Sequence, residues 1–288
     1  MDNNLINKLK NKTNTNLRVK PIYRDSLEHE FAIKFLKSQK FINYKKIENI
    51  LKISFLDPEP LGNILINDKE EVVGFLGTIF AKRVIKNETL LHCNLHTWIV
   101  EKKYRFQSFR LLIPIIDRNI LISTFSPTKS LEGLYEKLGF KKRILASKVL
   151  FKFPLILQKN FNLTFYINDK NCEEFLLKKD LKIFKDHLKK DVFNLFFFNS
   201  SDKEYVYLVV KKKLKKNFLS VIEILYISNL SNYNKIKKNI NFELVKKFKT
   251  PFIIINYASD DNYFFFKKAY CLNIPENFNF DLLYSELC

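Results

Sequence analysis

The apolar segments of this 288-residue chain change period in the same order twice, and few folds accommodate such a repeat. Unbroken or alternating apolar runs read as strand, and a 3.6-residue spacing reads as helix. In the first half, Asn63–Asn67 and Val72–Val84 flank the turn Asp68-Lys69-Glu70 and predict a hairpin. A strand follows over Leu90–Val100, then a helix over Arg105–Ile116 with Pro114 near its end, then a buried strand over Asn119–Thr124. Ser126-Pro127-Thr128 opens a further helix, Gly139 closes it, and Phe140–Leu157 returns as extended chain.

The second half repeats the series. Asp191–Phe198 and Glu204–Val210 flank the turn Ser200–Lys203. A strand over Phe218–Ser228, a helix over Tyr233–Phe248, a strand over Phe252–Tyr257 and a helix over Asp260–Ala269 come next. The turn sequence Asp68-Lys69-Glu70 recurs as Asp202-Lys203-Glu204. The repetition predicts a duplicated α/β unit divided near Pro154–Phe161, with domains at 18–157 and 158–288 behind a frayed tail over 1–17. Ahead of the first hairpin, Arg18–Tyr23 reads as a short strand and Ser26–Lys40 as a helix with Ser26 as N-cap. A second short helix is expected from Tyr44 to about Ile53.

Charge has to be weighed before function. The net charge is +20 and the pI about 9.6, which by itself invites an anionic partner. Lys, Asn, Ile and Phe are used heavily while Gly and Trp are scarce, the footprint of AT-rich coding sequence, and the basic residues are spread along the chain. The one dense run, Lys211-Lys212-Lys213 with Lys215-Lys216, is expected in a loop between strands. Codon usage and a solvated surface account for the charge, so nucleic acid is not the expected partner. Cys93, Cys172, Cys271 and Cys288 show no zinc or redox spacing and read as free thiols. Met1–Leu17 has no apolar leader core, and no apolar run approaches the roughly 20 residues of a membrane span. A cytoplasmic protein is expected.

Two segments carry a family resemblance. The first is Trp98-Ile-Val-Glu-Lys-Lys-Tyr-Arg-Phe-Gln-Ser-Phe-Arg-Leu-Leu112, and the second is Leu134-Tyr-Glu-Lys-Leu-Gly-Phe140. On these, Gly62–Arg143 resembles the GNAT superfamily of acyl-CoA N-acyltransferases, and the whole chain resembles a tandem member with a degenerate second copy. The resemblance implies two mixed, mostly antiparallel sheets flanked by helices, with acetyl-CoA or another acyl-CoA as co-substrate. It also implies that a turn after the strand cradles the coenzyme diphosphate with successive backbone N–H groups. In this chain that turn is Arg105-Phe106-Gln107-Ser108-Phe109-Arg110. The family pattern, Gln/Arg-x-x-Gly-x-Gly/Ala, keeps its Arg, but Ser108 replaces the first glycine and Arg110 the small last residue. Ile99 and Val100 would offer amides to the thioester oxygen, and Thr128 replaces the Asn that commonly opens the late helix. Tyr135 falls on the family's proton donor to the leaving thiolate, with core packing as the alternative role.

Strict alternation on Leu91–Val100 places His92, Asn94, His96 and Trp98 on one face and Leu91, Cys93, Leu95 and Ile99 on the other. The resemblance turns the first face toward the acceptor, which makes His96 the candidate base and His92, Asn94 and Trp98 candidate substrate contacts. No metal is expected, since His92 and His96 lie about 13 Å apart along a strand. The second copy has Asn229-Leu230-Ser231-Asn232-Tyr233 where the diphosphate turn would be, and pairing the late helices sets Phe266 against Tyr135. It is expected to be structural, packing against the first half and shaping the acceptor cleft, with Asp281–Leu287 as a strand or tail returning to that packing surface. The functional expectation is acyl transfer to a primary amine, a small-molecule acceptor such as an amino sugar in surface-polysaccharide synthesis. Aminoacyl transfer from charged tRNA is a sub-variant. The alternative is a non-catalytic tandem scaffold that has lost coenzyme binding.

Overall fold

The computed structural model describes residues 16–39, 51–52, 54–85, 88–151, 163–188, 191–199, 204–215, 219–256, 265–275 and 281–285. In chain order the elements are β1 (Arg18–Ile22), α1 (Leu27–Ser38), β2 (Gly62–Ile66), β3 (Val72–Ile85), β4 (Glu88–Val100), a 3₁₀ helix (Lys102–Leu111), α2 (Ile113–Ile116), β5 (Leu121–Thr124), α3 (Glu132–Lys137) and β6 (Lys141–Phe151). The series resumes with β7 (Leu163–Ile167), α4 (Lys178–His187), β8 (Phe193–Asn199), β9 (Glu204–Lys215), β10 (Leu219–Ile227), α5 (Leu230–Phe248), β11 (Phe252–Ile255) and β12 (Phe265–Leu272).

The described residues form two compact units, and the division falls between Ile144 and Leu145. Unit 1 combines the first 144 positions with Lys268–Phe278 and the segment beginning at Tyr284. Unit 2 combines Leu145–Lys267 with Asn279–Leu283. The sheet of unit 1 runs β1-β2-β3-β4-β5-β12, antiparallel except for the β4–β5 pair. That of unit 2 runs β7-β8-β9-β10-β11-β6, antiparallel except for β10–β11. Each unit therefore completes its sheet with a strand from the other repeat. β12 lies beside β5, with Tyr270 opposite Thr124, and β6 lies beside β11, with Val149 opposite Ile254.

Local chemistry explains the element ends. The Ser26 hydroxyl accepts the His29 N–H at 3.2 Å and caps α1, whose first turn carries Glu28 and Glu30. Gly139 takes φ 83° where α3 stops, and Asn229 caps α5 through the Asn232 N–H at 3.0 Å. One face of the unit 1 sheet packs Leu76, Phe80, Cys93, Leu95 and Ile122 against Leu112, Ile115, Tyr135 and Leu138. The opposite face packs Ile64, Ile66 and Phe75 against Ala32, Phe35 and Leu36 of α1. Unit 2 repeats the plan with α5, whose Ile240, Leu244 and Val245 cover Leu208, Val210, Ile222 and Ile224.

Several expectations change. Arg105–Ile116 is not one α-helix: Lys102–Leu111 winds as 3₁₀ and α2 restarts with Pro114 in its first turn. Pro114 has no N–H for the carbonyl four residues earlier, so an α-helix running through it is broken at that point. Phe265–Leu272 is strand where a helix over Asp260–Ala269 was expected, so Phe266 does not sit on a late helix opposite Tyr135. An unbroken apolar run fits either element, and pairing with β5 decides it. Lys211, Lys212, Lys213 and Lys215 lie in β9 rather than in a loop. The expected helix Tyr44–Ile53 is outside the described residues except for Leu51 and Lys52, which are helical. The expected division near Pro154–Phe161 and the turn Ser200–Lys203 also lie outside them. No helix among the described residues is long and apolar enough to cross a membrane, and none of their His, Cys, Asp and Glu side chains gather into a metal-holding group.

Candidate active site

The site is built on β4. Phe75 of β3 pairs with Ile99 and Gly77 with His96, so β4 carries one extra residue over this stretch. Thr97 absorbs it at φ 49°, a bulge that resets the alternation of side chains. Trp98 consequently packs with Cys93 and Leu95, while Ile99 packs on the Phe75 side with the α1 core. Trp98 thus does not share the face of His92, Asn94 and His96. Strict alternation fails at the bulge.

Beyond the bulge β4 also loses its other neighbour. Its parallel pairing with β5 consists of His92–Leu121, Cys93–Ile122 and Asn94–Ser123, and β5 ends at Thr124 while β4 continues to Val100. Alternate backbone groups of a strand point to opposite neighbours. Among the described residues no strand pairs with the Leu95–Val100 groups directed away from β3, which leaves a wedge there, and an extended amide-bearing chain has the geometry to pair with it.

A polar row lines the α1 face. The Ser123 hydroxyl donates to Asn94 Oδ1 at 3.2 Å, so His92 Nε2, 2.8 Å from the Ser123 hydroxyl oxygen, is the donor to it. His92 Nδ1 is then a bare acceptor, buried and without a partner. His96 Nδ1 lies 3.1 Å from the Thr97 hydroxyl, and its Nε2 is likewise buried and unpartnered. Burial holds both imidazoles neutral, each pushed down to about 3, with the Arg83 charge adding to the effect at His92. The His96 ring lies flat over Gly77, where a Cβ would sit 2.1 Å from Cε1. Gly62 pairs with Gly77 in turn, so a lane without side chains crosses two strands beneath the imidazole.

On the other face Tyr135, 2% exposed, sits in an aromatic box. It stacks on Tyr270 at 5.4 Å, meets Trp98 edge-on at 5.7 Å and tilts against Phe140 at 5.1 Å. Tyr270 arrives on β12, and its hydroxyl donates to Glu136 at 3.1 Å, while Lys268 pairs with Glu132 at 2.6 Å. Burial and the two neighbouring carboxylates push the Tyr270 hydroxyl up to about 12.

The 3₁₀ helix alters the expected diphosphate cradle. In such a helix the N–H groups past the first turn donate three residues back, beginning here with Tyr104 to Glu101 at 2.9 Å. The amides of Arg105–Arg110 are therefore engaged within the helix, and those of Lys102 and Lys103 open it. Among the side chains, Phe106 is 95% exposed, Phe109 is buried, Ser108 is half-buried and Arg105 is exposed. Arg110 is half-buried, and burial lowers its affinity for its proton. Gln107 Oε1 is buried without a partner. Thr128 is exposed, its hydroxyl 3.2 Å from that of Ser130. Thus His92, Asn94 and His96 come together on one face and Trp98 with Tyr135 on the other. Ile99 and Val100 edge the wedge, and the Arg105–Arg110 side chains project from the helix that follows. Sequence reasoning missed Ser123, Arg83, Thr97 and Tyr270. Only Ser123, a polar residue inside a buried apolar strand, left a readable signal.

No protein-family model matches the sequence, and no curated protein does. Solved structures do match in fold. A GCN5-related N-acetyltransferase from Anabaena variabilis superposes with a TM-score of 0.57 at 10% identity, over 88% of this chain and 72% of that one. A fungal multi-domain β-N-acetylglucosaminidase carrying a GCN5-related glucosamine N-acetyltransferase region gives 0.58 at 11% identity, over 91% of this chain, which spans 38% of the fungal protein. Saccharomyces cerevisiae N-myristoyltransferase gives 0.50 at 11% identity, over 89% and 79%. These likenesses show that the chain carries the fold of the GCN5-related N-acetyltransferases.

Proposed function

We propose that unit 1 is the catalytic unit of an acyl-CoA-dependent N-acyltransferase acting on a primary amine. The observation that carries this is the opening between β4 and β5 beyond Asn94–Ser123, next to the bulge at Thr97. The pantetheine arm is an extended chain with two amides and pairs with the freed edge of β4. Amides near Ile99 and Val100 polarise the thioester oxygen. The amine nitrogen attacks the carbonyl carbon, the C–S bond breaks, and Tyr135 gives its proton to the departing thiolate. His96 is buried and a poor proton acceptor, so the ammonium proton leaves through water, while His92, Asn94 and His96 contact the acceptor and Trp98 positions Tyr135. With the Arg105–Arg110 amides engaged, the diphosphate is held by the Lys102 and Lys103 amides and the Arg105 and Arg110 guanidinium groups, flanked by Phe106, Gln107, Ser108, Phe109 and Thr128.

An amino sugar is the acceptor class we favour. It has many hydroxyl groups for a row of neutral hydrogen-bonding side chains, and glucosamine is the acceptor named for the fungal region. The test begins with binding. Acetyl-CoA at 100 times its dissociation constant stabilises the folded chain by about 2.7 kcal/mol, read as a rise in melting temperature, and myristoyl-CoA run in parallel reports acyl length. Tyr135→Phe then lowers kcat by about 100-fold or more while leaving the acetyl-CoA-induced shift intact. A second reading, a scaffold without coenzyme, is favoured by the engagement of the Arg105–Arg110 amides in the 3₁₀ helix. It predicts no shift at millimolar coenzyme.

A further inference from the structure

Unit 2 keeps the same backbone device and uses it differently. Ile224 of β10 pairs with Val210 and Tyr226 with Val209, so Leu225 is an extra residue, the counterpart of the bulge at Thr97. The parallel pairing of β10 with β11 is also three residues long, Ile222–Ile253 to Ile224–Ile255. A wedge therefore begins at Leu225 as one begins past Asn94 in unit 1. Here the Leu282 N–H donates to the Leu225 carbonyl at 3.1 Å. Leu282 is 1% exposed and Leu283 is fully buried, and the Leu283 N–H folds back onto Asp281 Oδ1 at 3.0 Å.

We infer that the wedge of unit 2 is a peptide-holding groove whose resident is the chain's own segment Asp281–Leu283. A pantetheine arm and a polypeptide present the same kind of extended amide chain to a strand edge, so a wedge shaped for one can be occupied by the other. The Asp281 side chain adapts the segment by taking up the Leu283 amide, which leaves the Leu282 amide to point at β10. The groove and its occupant are covalently joined, which gives the pairing a high effective concentration. The inference goes beyond acyl transfer and does not depend on unit 1 binding a coenzyme.

Hydrogen–deuterium exchange on the full chain tests it. The Leu282 amide exchanges about 100-fold or more slowly than in an unstructured peptide of the same sequence. Leu282→Pro removes the donor and returns the Leu283 amide to near-peptide exchange rates, whereas Leu282→Ala, which keeps the N–H, retains at least a tenfold protection at both positions. Circular dichroism and the exchange of β8–β9 amides report whether each variant remains folded. Free-peptide exchange at Leu282 in the unaltered chain overturns the inference, as does a folded Leu282→Pro variant with Leu283 still protected. Two equivalents of acetyl-CoA bound per chain would overturn it too, because the second wedge would then be open.

Discussion

The two units place polar side chains across the same strands and treat them differently. In unit 2 the row is closed. Lys213 pairs with Glu223 at 2.5 Å, Glu223 accepts from Asn256 at 3.1 Å, and Asn256 accepts from Ser147 at 2.8 Å. In unit 1 the row His92–Ser123–Asn94 and the neighbouring His96 end in two buried ring nitrogens with nothing to bond. A buried polar group left unsatisfied costs about 1–3 kcal/mol, so a fold tolerates it where a ligand or water completes it. The wedges follow the same division: among the described residues one edge of β4 has no strand partner, and the corresponding edge of β10 is taken by Leu282. The Lys213–Glu223–Asn256–Ser147 row is satisfied throughout and the β4 row is not, which is the difference expected if unit 1 is the copy that binds, as proposed above.

The contrast can be broken in several ways. The largest effect is expected from Glu223→Ala, which strands Lys213 and the Asn256 amide. Because Lys213 is 24% exposed and regains some water, about 3 kcal/mol of stability is lost, the low end for a broken buried pair, measured by urea unfolding followed through unit 2 probes. Gly77→Ala comes next. Its new Cβ meets the His96 ring, and a displacement costing about 1–3 kcal/mol is expected, with the loss centred on β3 and β4 amides in hydrogen exchange.

Acid acts on unit 1 in a defined direction. Unfolded histidine takes up its proton near pH 6.5, but His92 and His96 in the folded chain do so only near 3. The unfolded state therefore binds more protons between these values. The stability from burying neutral imidazole is fully present above pH 6.5 and falls as pH drops toward 3. Each ring contributes a slope of up to about 1.4 kcal/mol per pH unit. A unit 1 that melts at the same temperature at pH 7 and pH 4.5 would contradict this burial. For the same reason a pH–rate profile should show no limb near 6.5 from His96. The smallest effect is Gly133→Ala in α3, where an added Cβ meets nothing within 4 Å; a gain of about 0.5–1 kcal/mol is expected by calorimetry.

Much of the architecture was legible. Hairpin signals, the Ser26 cap and the Gly139 stop each rest on neighbours in sequence, and the repeat placed most strands in order. The structure departs from the reading where a single backbone event or a distant partner decides. The left-handed Thr97 turns Trp98 to the other face, and no count of alternating residues contains that information. Phe265–Leu272 was ambiguous on its own, because only β5, far away in sequence, makes it a strand. Lys102–Leu111 lacks the glycines that would have kept it a loop, and the substitutions at Ser108 and Arg110 hinted at a change without revealing a 3₁₀ helix. Of the candidate site, the row His92, Asn94, His96 and the buried Tyr135 were visible in sequence. Their partners Ser123 and Tyr270 come from other strands and were not.

The exchange of β6 and β12 bears on how the polypeptide matures. Domains usually fold as units in the order the ribosome delivers them. The sheet of unit 1 lacks the strand beside β5 until Lys268–Leu272 has been synthesised, and with it the Tyr270 ring that stacks on Tyr135. The nascent first repeat must therefore wait, its edge unsealed, through translation of the whole second repeat. A gene cut between the repeats would yield two fragments, each carrying the sheet strand that the other requires.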